Sequence, residues 1–401
     1  MAGPENDLGQ DTSTQRGWHY LQLPGPTNIP GRVLNAMNRP AIDQRGQEFA
    51  ELSLGIFKDL KAVFKTEEEV FIFPSSGTGA GEAAIANTLS TGDHILVFDS
   101  GQFSFFWITM AKKFGLVPVV MENDWRRAPS PEDIEARLRE DSDHKIKAVL
   151  IVHNETSTGT TARIPDVRKA IDAANHPTLL IVDTISSLAS IDFRMDEWGV
   201  DVAIAGSQKG LMLPPGLSFN VVSKKAREAS KTSTLPCFYF DWEWMRSMNS
   251  VGFFPYTPAI QMLYGLRESL DMLAEETLPH AFRRHTRLGI ATRTAVKTWG
   301  LDLVCQDSSE YSDSVTAIFL PDGHDADAFR QHMLDTYHIA LGGGLARFAG
   351  KIFRIGHMGD VNEVMLIGVL SAVESALEVL NIPHIPGGAD AARRIFYEMN
   401  V

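Results

Sequence analysis

The chain has 401 residues, 44% hydrophobic and 22% charged, which suits two or three globular domains and excludes a disordered chain. Its 37 basic and 50 acidic residues leave a net charge of −13, so nucleic acid is not expected as a partner. The two cysteines, Cys237 and Cys305, are too few for a disulfide scaffold or a cysteine zinc finger and fit a reducing compartment.

The first 17 residues are polar and acidic, without the basic-then-apolar pattern of an export signal, and an N-terminal arm is expected over 1–19. From about residue 60 to 225 two textures alternate. Runs rich in Val, Ile and Leu at 70–73, 94–98, 117–121, 148–152, 179–182, 202–205 and 219–222 read as buried strands. Helical patterns at 81–89, 105–114, 131–140 and 164–174 lie between several of them. The alternation predicts an α/β fold with a mostly parallel sheet flanked by helices and ligands at the carboxyl ends of the strands.

After residue 260 come long helices to about 300, with the basic run Arg283, Arg284, His285 and Arg287 expected on a solvated face. A strand at 315–320, a helix at 325–337, the cluster Gly342-Gly343-Gly344 and a strand at 352–355 follow. The apolar segment 364–380 is interrupted by Ser371, Glu374, Ser375 and Glu378, so it predicts an amphipathic helix and no membrane partner. This reading divides the chain into a large domain, 20–278, and a smaller C-terminal α/β domain, 279–401. The last residues, Glu398-Met399-Asn400-Val401, are not a peroxisomal tail, and a cytoplasmic location is expected.

Three places carry chemistry. Pro74-Ser75-Ser76-Gly77-Thr78-Gly79-Ala80-Gly81 follows a strand and opens a helix, where free N–H groups and the helix dipole favour phosphate. Its G-x-G-x-G spacing is neither a dinucleotide fingerprint nor a P-loop; the alternative is a tight turn with an N-cap hydroxyl. Asp183 ends an apolar strand, as a functional acid or as a helix N-cap. Lys209, in Gly206-Ser207-Gln208-Lys209-Gly210, is either a desolvated nucleophile or a snorkelling surface lysine. In combination they match what pyridoxal 5'-phosphate needs: an anion cradle, an acid for the pyridine nitrogen and an imine-forming lysine.

Further motifs are Pro24-Gly25-Pro26-Thr27-Asn28-Ile29-Pro30, His153-Asn154-Glu155-Thr156, Met195-Asp196-Glu197-Trp198-Gly199-Val200-Asp201, Pro255-Tyr256-Thr257-Pro258 and Phe353-Arg354-Ile355-Gly356-His357. With the three sites they run from about residue 20 to 360. The chain thereby resembles the class V aminotransferases among the fold-type I pyridoxal-phosphate enzymes, and within them the serine–glyoxylate branch. The resemblance implies that Lys209 forms the Schiff base and moves the proton, and that Asp183 pairs with the pyridinium nitrogen. It implies Ser76, Gly77, Thr78 and Gln208 on the phosphate, Phe103 stacked on the ring, and Ser157 or Thr156 on the ring hydroxyl. Thr257 and Tyr256 would reach the phosphate of the neighbouring subunit in a homodimer that shares its active sites. Arg354 would clamp the substrate α-carboxylate, and Arg45 is a candidate for a side-chain carboxylate.

Two departures stand out: Gly81, where many relatives carry Trp, and the Pro386-Gly387-Gly388 tail. No metal is expected; His153-x-Glu155 resembles half of a zinc-deaminase motif, but the chain has no C-x-x-C. His357 is expected as a hydrogen-bonded structural histidine. The implied reaction moves an amino group from a small amino acid, serine first, to the 2-oxo acid glyoxylate. It gives glycine and hydroxypyruvate by ping-pong through pyridoxamine phosphate. Aspartate or alanine as donor, a pyridoxal-phosphate lyase, and a non-enzymatic phosphate-ligand binding protein are the alternatives.

Overall fold

The computed structural model describes residues 17 and 19–399, so the expected arm over 1–19 lies almost wholly outside the described residues. The chain begins with β1 (Tyr20–Gln22), α1 (Gly31–Met37) and α2 (Gln47–Phe64). The alternating part follows: β2 (Glu69–Phe73), α3 (Gly77–Thr88), β3 (His94–Asp99), α4 (Gln102–Lys113), β4 (Val117–Glu122), α5 (Pro131–Glu140) and β5 (Ile146–Val152). A small ribbon, β6 (Asn154–Glu155) and β7 (Thr160–Thr161), precedes α6 (Ile164–Ala173), β8 (Leu179–Asp183), β9 (Val202–Gly206) and β10 (Ser218–Val222). Then come α7 (Lys224–Ser230), α8 (Trp242–Asn249), α9 (Ile260–Glu276) and α10 (Leu278–Thr298). The last part holds β11 (Val315–Phe319), α11 (Ala326–Tyr337), β12 (Ile339–Gly343), β13 (Ile352–Gly356), α12 (Glu363–Val379) and α13 (Gly388–Glu398).

Seven strands form the main sheet in the order β2-β10-β9-β8-β5-β3-β4. All run parallel except β10, which is antiparallel to both its neighbours. Strands β8, β9 and β10 are buried along their whole length because helices cover both faces, which is why they read as continuous apolar runs. The parallel register brings the ends of β2, β3, β5, β8 and β9 to one edge, with Val152 beside Asp183 and Asp183 beside Ile204.

A second sheet, β1-β12-β13-β11, packs with α10 to α13 around its own core, which includes Trp299, Phe329 and Phe353. Strand β1 departs from the expected division at residue 20. It pairs in parallel with Ile339–Leu341 at the edge of this second sheet, so the chain begins there and crosses to the main sheet. That crossing is tight. A Cβ on Gly356 would lie 2.1 Å from Leu23 O, and Thr27 N donates to Gln208 O at 3.2 Å.

Three other differences have simple causes. Helix α3 starts four residues before the apolar pattern, because Gly77-Thr78-Gly79-Ala80 is helical without large apolar side chains; a Cβ on Gly79 would lie 1.8 Å from Ser75 Oγ. The basic run on α10 is a solvated face only at Arg283, which is exposed. His285 is fully buried and accepts from Gly359 N at 3.1 Å, and Arg284 donates to Gly359 O and Val361 O at 2.8 and 3.0 Å. The Gly387-Gly388 tail opens α13, where a Cβ on Gly388 would strike Trp299 Nε1 at 2.3 Å. No helix among the described residues is long and apolar enough to cross a membrane.

The crossing at Gly356 and the exposed interior of α12 make a matched pair. Gly356→Ala overpacks Leu23 and costs about 1–3 kcal/mol. Gly368→Ala, with nothing within 4 Å of the new Cβ, gains about 0.5–1 kcal/mol. Chemical unfolding midpoints move in opposite directions for the two variants.

Candidate active site

The edge of the main sheet is built around the start of α3. Ser76 is the N-cap, with extended backbone at φ −95° and ψ 169°, yet its side chain makes no capping bond. Its hydroxyl and the first amides of α3 are therefore available to an anion, with the helix dipole behind them. Ser76 and Thr78 are exposed and Gly77 is buried. Gly77 packs so closely on Ile185 that a Cβ would lie 2.3 Å from Ile185 Cδ1. Gln208, after β9, places its Oε1 in a buried position without a partner. An unpaired buried carboxamide oxygen is costly and calls for a donor or for a flipped amide facing an acceptor.

Asp183, at the end of β8, is buried, and two neutral donors hold it. Its Oδ1 accepts from Ile185 N at 2.9 Å and its Oδ2 from Trp107 Nε1 at 3.2 Å. Burial pushes its carboxyl up to about 6, while these two bonds and Lys209 pull the other way. Trp107 was missed in the sequence. It lies one turn after Phe103 on α4, so both rings occupy one helix face, and that spacing was the available signal. Gly81 explains how the indole fits. A Cβ there would lie 3.2 Å from both Trp107 Cη2 and Met110 Cε, so these side chains occupy the space behind the turn. Gly77, Thr78, Phe103, Trp107 and Asp183 line one cavity.

Lys209 is buried, and its Nζ donates to Pro24 O. Burial lowers its ammonium to about 8; Arg354 adds to that effect and Asp183 opposes it. The turn over it needs glycine. Gly25 has φ +101°, and a Cβ would lie 2.3 to 2.5 Å from Lys209 Cδ, Nζ and Cε. Arg354 arrives from β13. Its Nε donates to Gly343 O at 2.8 Å and one Nη to Thr156 O at 2.7 Å, leaving the second Nη without a partner among the described residues. Burial pushes its guanidinium down to about 10, against the attraction of Glu155. The glycine cluster makes room for arginines: a Cβ on Gly342 would lie 3.1 Å from Arg354 Cβ, and one on Gly343 2.6 Å from Arg330 Nη1.

The remaining candidates are less central in this chain. Ser157 is fully buried, and its hydroxyl donates to Glu155 Oε1 at 2.5 Å and accepts from Gln102 N at 3.0 Å. Thr156 meets Arg354 through its carbonyl. Tyr256 stacks on Tyr239 at 4.4 Å with its hydroxyl buried and unpaired, and Tyr239 Oη lies 3.5 Å from Pro74 O. Thr257 is exposed and accepts from Gln44 Nε2 at 3.4 Å. Arg45 is exposed, with only its amide held, on Asp43 Oδ1 at 2.9 Å. His153 Nδ1 bonds Ser187 Oγ at 2.9 Å, and His357 bonds Thr316 Oγ1 and Asp313 O, both at 3.0 Å.

The buried amine has a measurable consequence. Lys209 binds its proton more weakly folded than unfolded, 8 against 10.5, so its charge destabilises the fold below pH 8. That penalty disappears as pH rises from about 8 to 10.5, because there only the unfolded chain holds the proton. At about 1.4 kcal/mol per pKa unit the gap is on the order of 3 kcal/mol. Lys209→Met in the ligand-free protein is therefore more stable than wild type at pH 7, and the difference shrinks to nothing towards pH 10.5. Unfolding free energies of both proteins across this range check it.

Comparison with known proteins places this arrangement. The family model described as Aminotransferase class-V matches residues 19–354. A serine–glyoxylate aminotransferase of Methylorubrum extorquens is 49% identical over 96% of this chain and 97% of its own. An L-aspartate–glyoxylate aminotransferase of Paracoccus denitrificans is 43% identical over 94% of this chain and 95% of its own. The crystal structure of a ureidoglycine–glyoxylate aminotransferase from Bacillus subtilis superposes with a TM-score of 0.88 at 27% identity, covering 96% of this chain and 100% of that one. The two-sheet architecture is that of the fold-type I pyridoxal-phosphate aminotransferases, and the chain belongs to the class V aminotransferase family.

Proposed function

We propose that this aminotransferase moves the amino group of serine to glyoxylate, giving hydroxypyruvate and glycine. The observation that carries the reading is the convergence of Asp183 and Lys209, from adjacent strand ends, with Arg354 from the middle of β13, beside the open start of α3. The near-half identity to a serine–glyoxylate enzyme supports the choice of donor.

The residues fit pyridoxal 5'-phosphate. Uncapped amides at Gly77 and Thr78, with the hydroxyls of Ser76 and Thr78, suit a phosphate, and so does the Gln208 carboxamide once flipped to present its NH2 in place of the unpaired Oε1. Asp183 suits a protonated ring nitrogen, and Phe103 offers a ring at the cavity wall. When bound, this cofactor supplies an electron sink conjugated to the substrate α-carbon. Lys209, lowered to about 8, has a neutral fraction near physiological pH and can take the α-proton at Nζ. Arg354 keeps one Nη free for a carboxylate, a group both substrates carry. The Gly25 turn covers Lys209 and limits access of water to it.

A second copy of the chain completes the site in this reading. Phe238, 75% exposed, packs against Trp244, and Phe105 and Phe106 are also exposed at 49% and 44% on the helix that carries Phe103. Such apolar surface suits a homodimer, and Thr257 is exposed and free to serve the partner's phosphate site, whereas Tyr256 would have to turn its buried hydroxyl outward to join it.

Aspartate is the second donor, on the strength of the aspartate-using relative and of an exposed Arg45 guanidinium without an ion-pair partner among the described residues. A cysteine-dependent lyase has no support here: burial pushes the Cys237 thiol up to about 11 and that of Cys305 to about 12, which keeps both protonated.

The test is product analysis with the cofactor supplied. Serine plus glyoxylate yields hydroxypyruvate and glycine, and aspartate and alanine are compared as donors. Lys209→Ala lowers kcat by about 10²–10⁴-fold or more. Arg354→Lys raises KM for both amino acid and glyoxylate by about 10–100-fold, because the planar fork is lost. Glycine formation from none of the three donors, or full activity in Lys209→Ala, overturns the proposal. Sedimentation at working concentration gives twice the chain mass; a monomer that is fully active removes the shared-site part alone.

A further inference from the structure

Glu155 is buried, and none of the chemistry above uses it. Among the described residues no cation is bonded to its carboxylate. Four neutral donors meet it instead: Phe103 N and Ser104 N on Oε2, both at 3.1 Å, and Ser157 N at 3.1 Å with Ser157 Oγ at 2.5 Å on Oε1. Phe103 and Ser104 are the second and third residues of α4, whose amides a helix leaves unpaired. The first, Gln102 N, donates to Ser157 Oγ at 3.0 Å. A helix start is normally capped by its own N-cap side chain. Here the N-cap is Gly101, which has none, and a Cβ there would lie 2.3 Å from Glu155 Cγ and Cδ. The cap of α4 comes from the segment after β5, about fifty residues on.

We propose that Glu155 is a positioning residue: together with Ser157 it caps α4 from a distant segment, and so fixes Phe103 at the cofactor's face and Trp107 on Asp183. The inference rests on the reading of the site as a pyridoxal-phosphate pocket. Phe103 and Trp107 share one face of α4, so fraying or rotation of its first turn displaces both. The same segment also holds the substrate clamp, because Thr156 O, between the two capping residues, accepts from Arg354.

The donor set requires a carboxylate. Three of the four partners are fixed N–H donors spread over both oxygens, so an amide would turn its NH2 against at least one of them. The charge stays near two site groups, Asp183 and Arg354, without bonding them. The positive end of α4 balances it, it strengthens the hold of Asp183 on a proton, and it favours the charged form of Arg354.

The test uses wild type, Glu155→Gln, Glu155→Asp and Ser157→Ala. Hydrogen–deuterium exchange on the cofactor-free protein reads residues 102–106 directly. Exchange there becomes about tenfold or more faster in Glu155→Gln, with the main-sheet strands unchanged. Equilibrium binding of pyridoxal 5'-phosphate, followed by visible absorbance, weakens by about 10–100-fold, less in Ser157→Ala. Glu155→Asp keeps the charge on a shorter arm and falls between wild type and Gln. Unchanged exchange at 102–106, or unchanged cofactor affinity, in Glu155→Gln overturns the proposal. If that variant does not fold, Ser157→Ala decides it by the same two readouts. Wild type that takes up no pyridoxal phosphate overturns the pocket reading instead, and the exchange comparison then judges the cap alone.

Discussion

Everything at this site depends on keeping Lys209 out of water. Buried beneath the Gly25 turn, its amine loses the solvation that keeps an ordinary lysine charged. Arg354, Asp183 and Glu155 are buried as well and, with Lys209, make up the charged groups of the site. Burial leads the shift in all four, and their charges sum to zero when all are ionised. A quartet of this kind holds several charges in a low-dielectric region without an uncompensated one, and it leaves Asp183 and Lys209 within reach of a protonation change.

The architecture supplies the quartet from two directions. The main sheet delivers Asp183 and Lys209 on adjacent strand ends, and the second sheet delivers Arg354 on β13. The link between them is the stretch that follows β1. Leaving the second sheet, the chain passes against Gly356, covers Lys209 at Pro24 and Gly25, and ties Thr27 to Gln208. Glycines stand where the Lys209 side chain, a crossing backbone or an arginine passes, at 25, 356, 342 and 343, because any Cβ would occupy space already taken. The site is thus assembled by close backbone approach as much as by side-chain chemistry.

Much of this was legible in the sequence. Most main-sheet strands showed as apolar runs because burial on both faces removes polar alternation; β4, expected as buried, is instead an edge strand with no buried residue. The strand-end Asp and Lys showed because charges seldom follow such runs. What stayed hidden depends on tertiary contact. Strand β1 is three residues long, and its partner lies some 320 residues away, so no local pattern marks it. The inward turn of His285 and Arg284 follows from the loop at Gly359 to Val361 packing on α10, which composition cannot reveal. Glu155 reads as an ordinary acidic residue until the amides of α4 are seen pointing at it.

The two buried carboxylates show how the site divides its donors. Among the described residues neither Asp183 nor Glu155 is hydrogen-bonded to a cation; backbone amides, an indole and a hydroxyl hold them. An arginine bonded to Asp183 would depress its affinity for a proton and weaken it as a partner for a protonated ring nitrogen. Neutral donors fix its position while leaving that affinity high. The cations are kept in turn for the reacting groups: Lys209 is held by a carbonyl, and Arg354 is oriented by two carbonyls with one Nη left over. Backbone carbonyls can aim a guanidinium without neutralising it, so the charge remains for a substrate carboxylate. Positioning by neutral groups, with the formal charges left unpaired at bonding distance, gives this buried edge the capacity to bind and move a proton rather than lock into salt bridges.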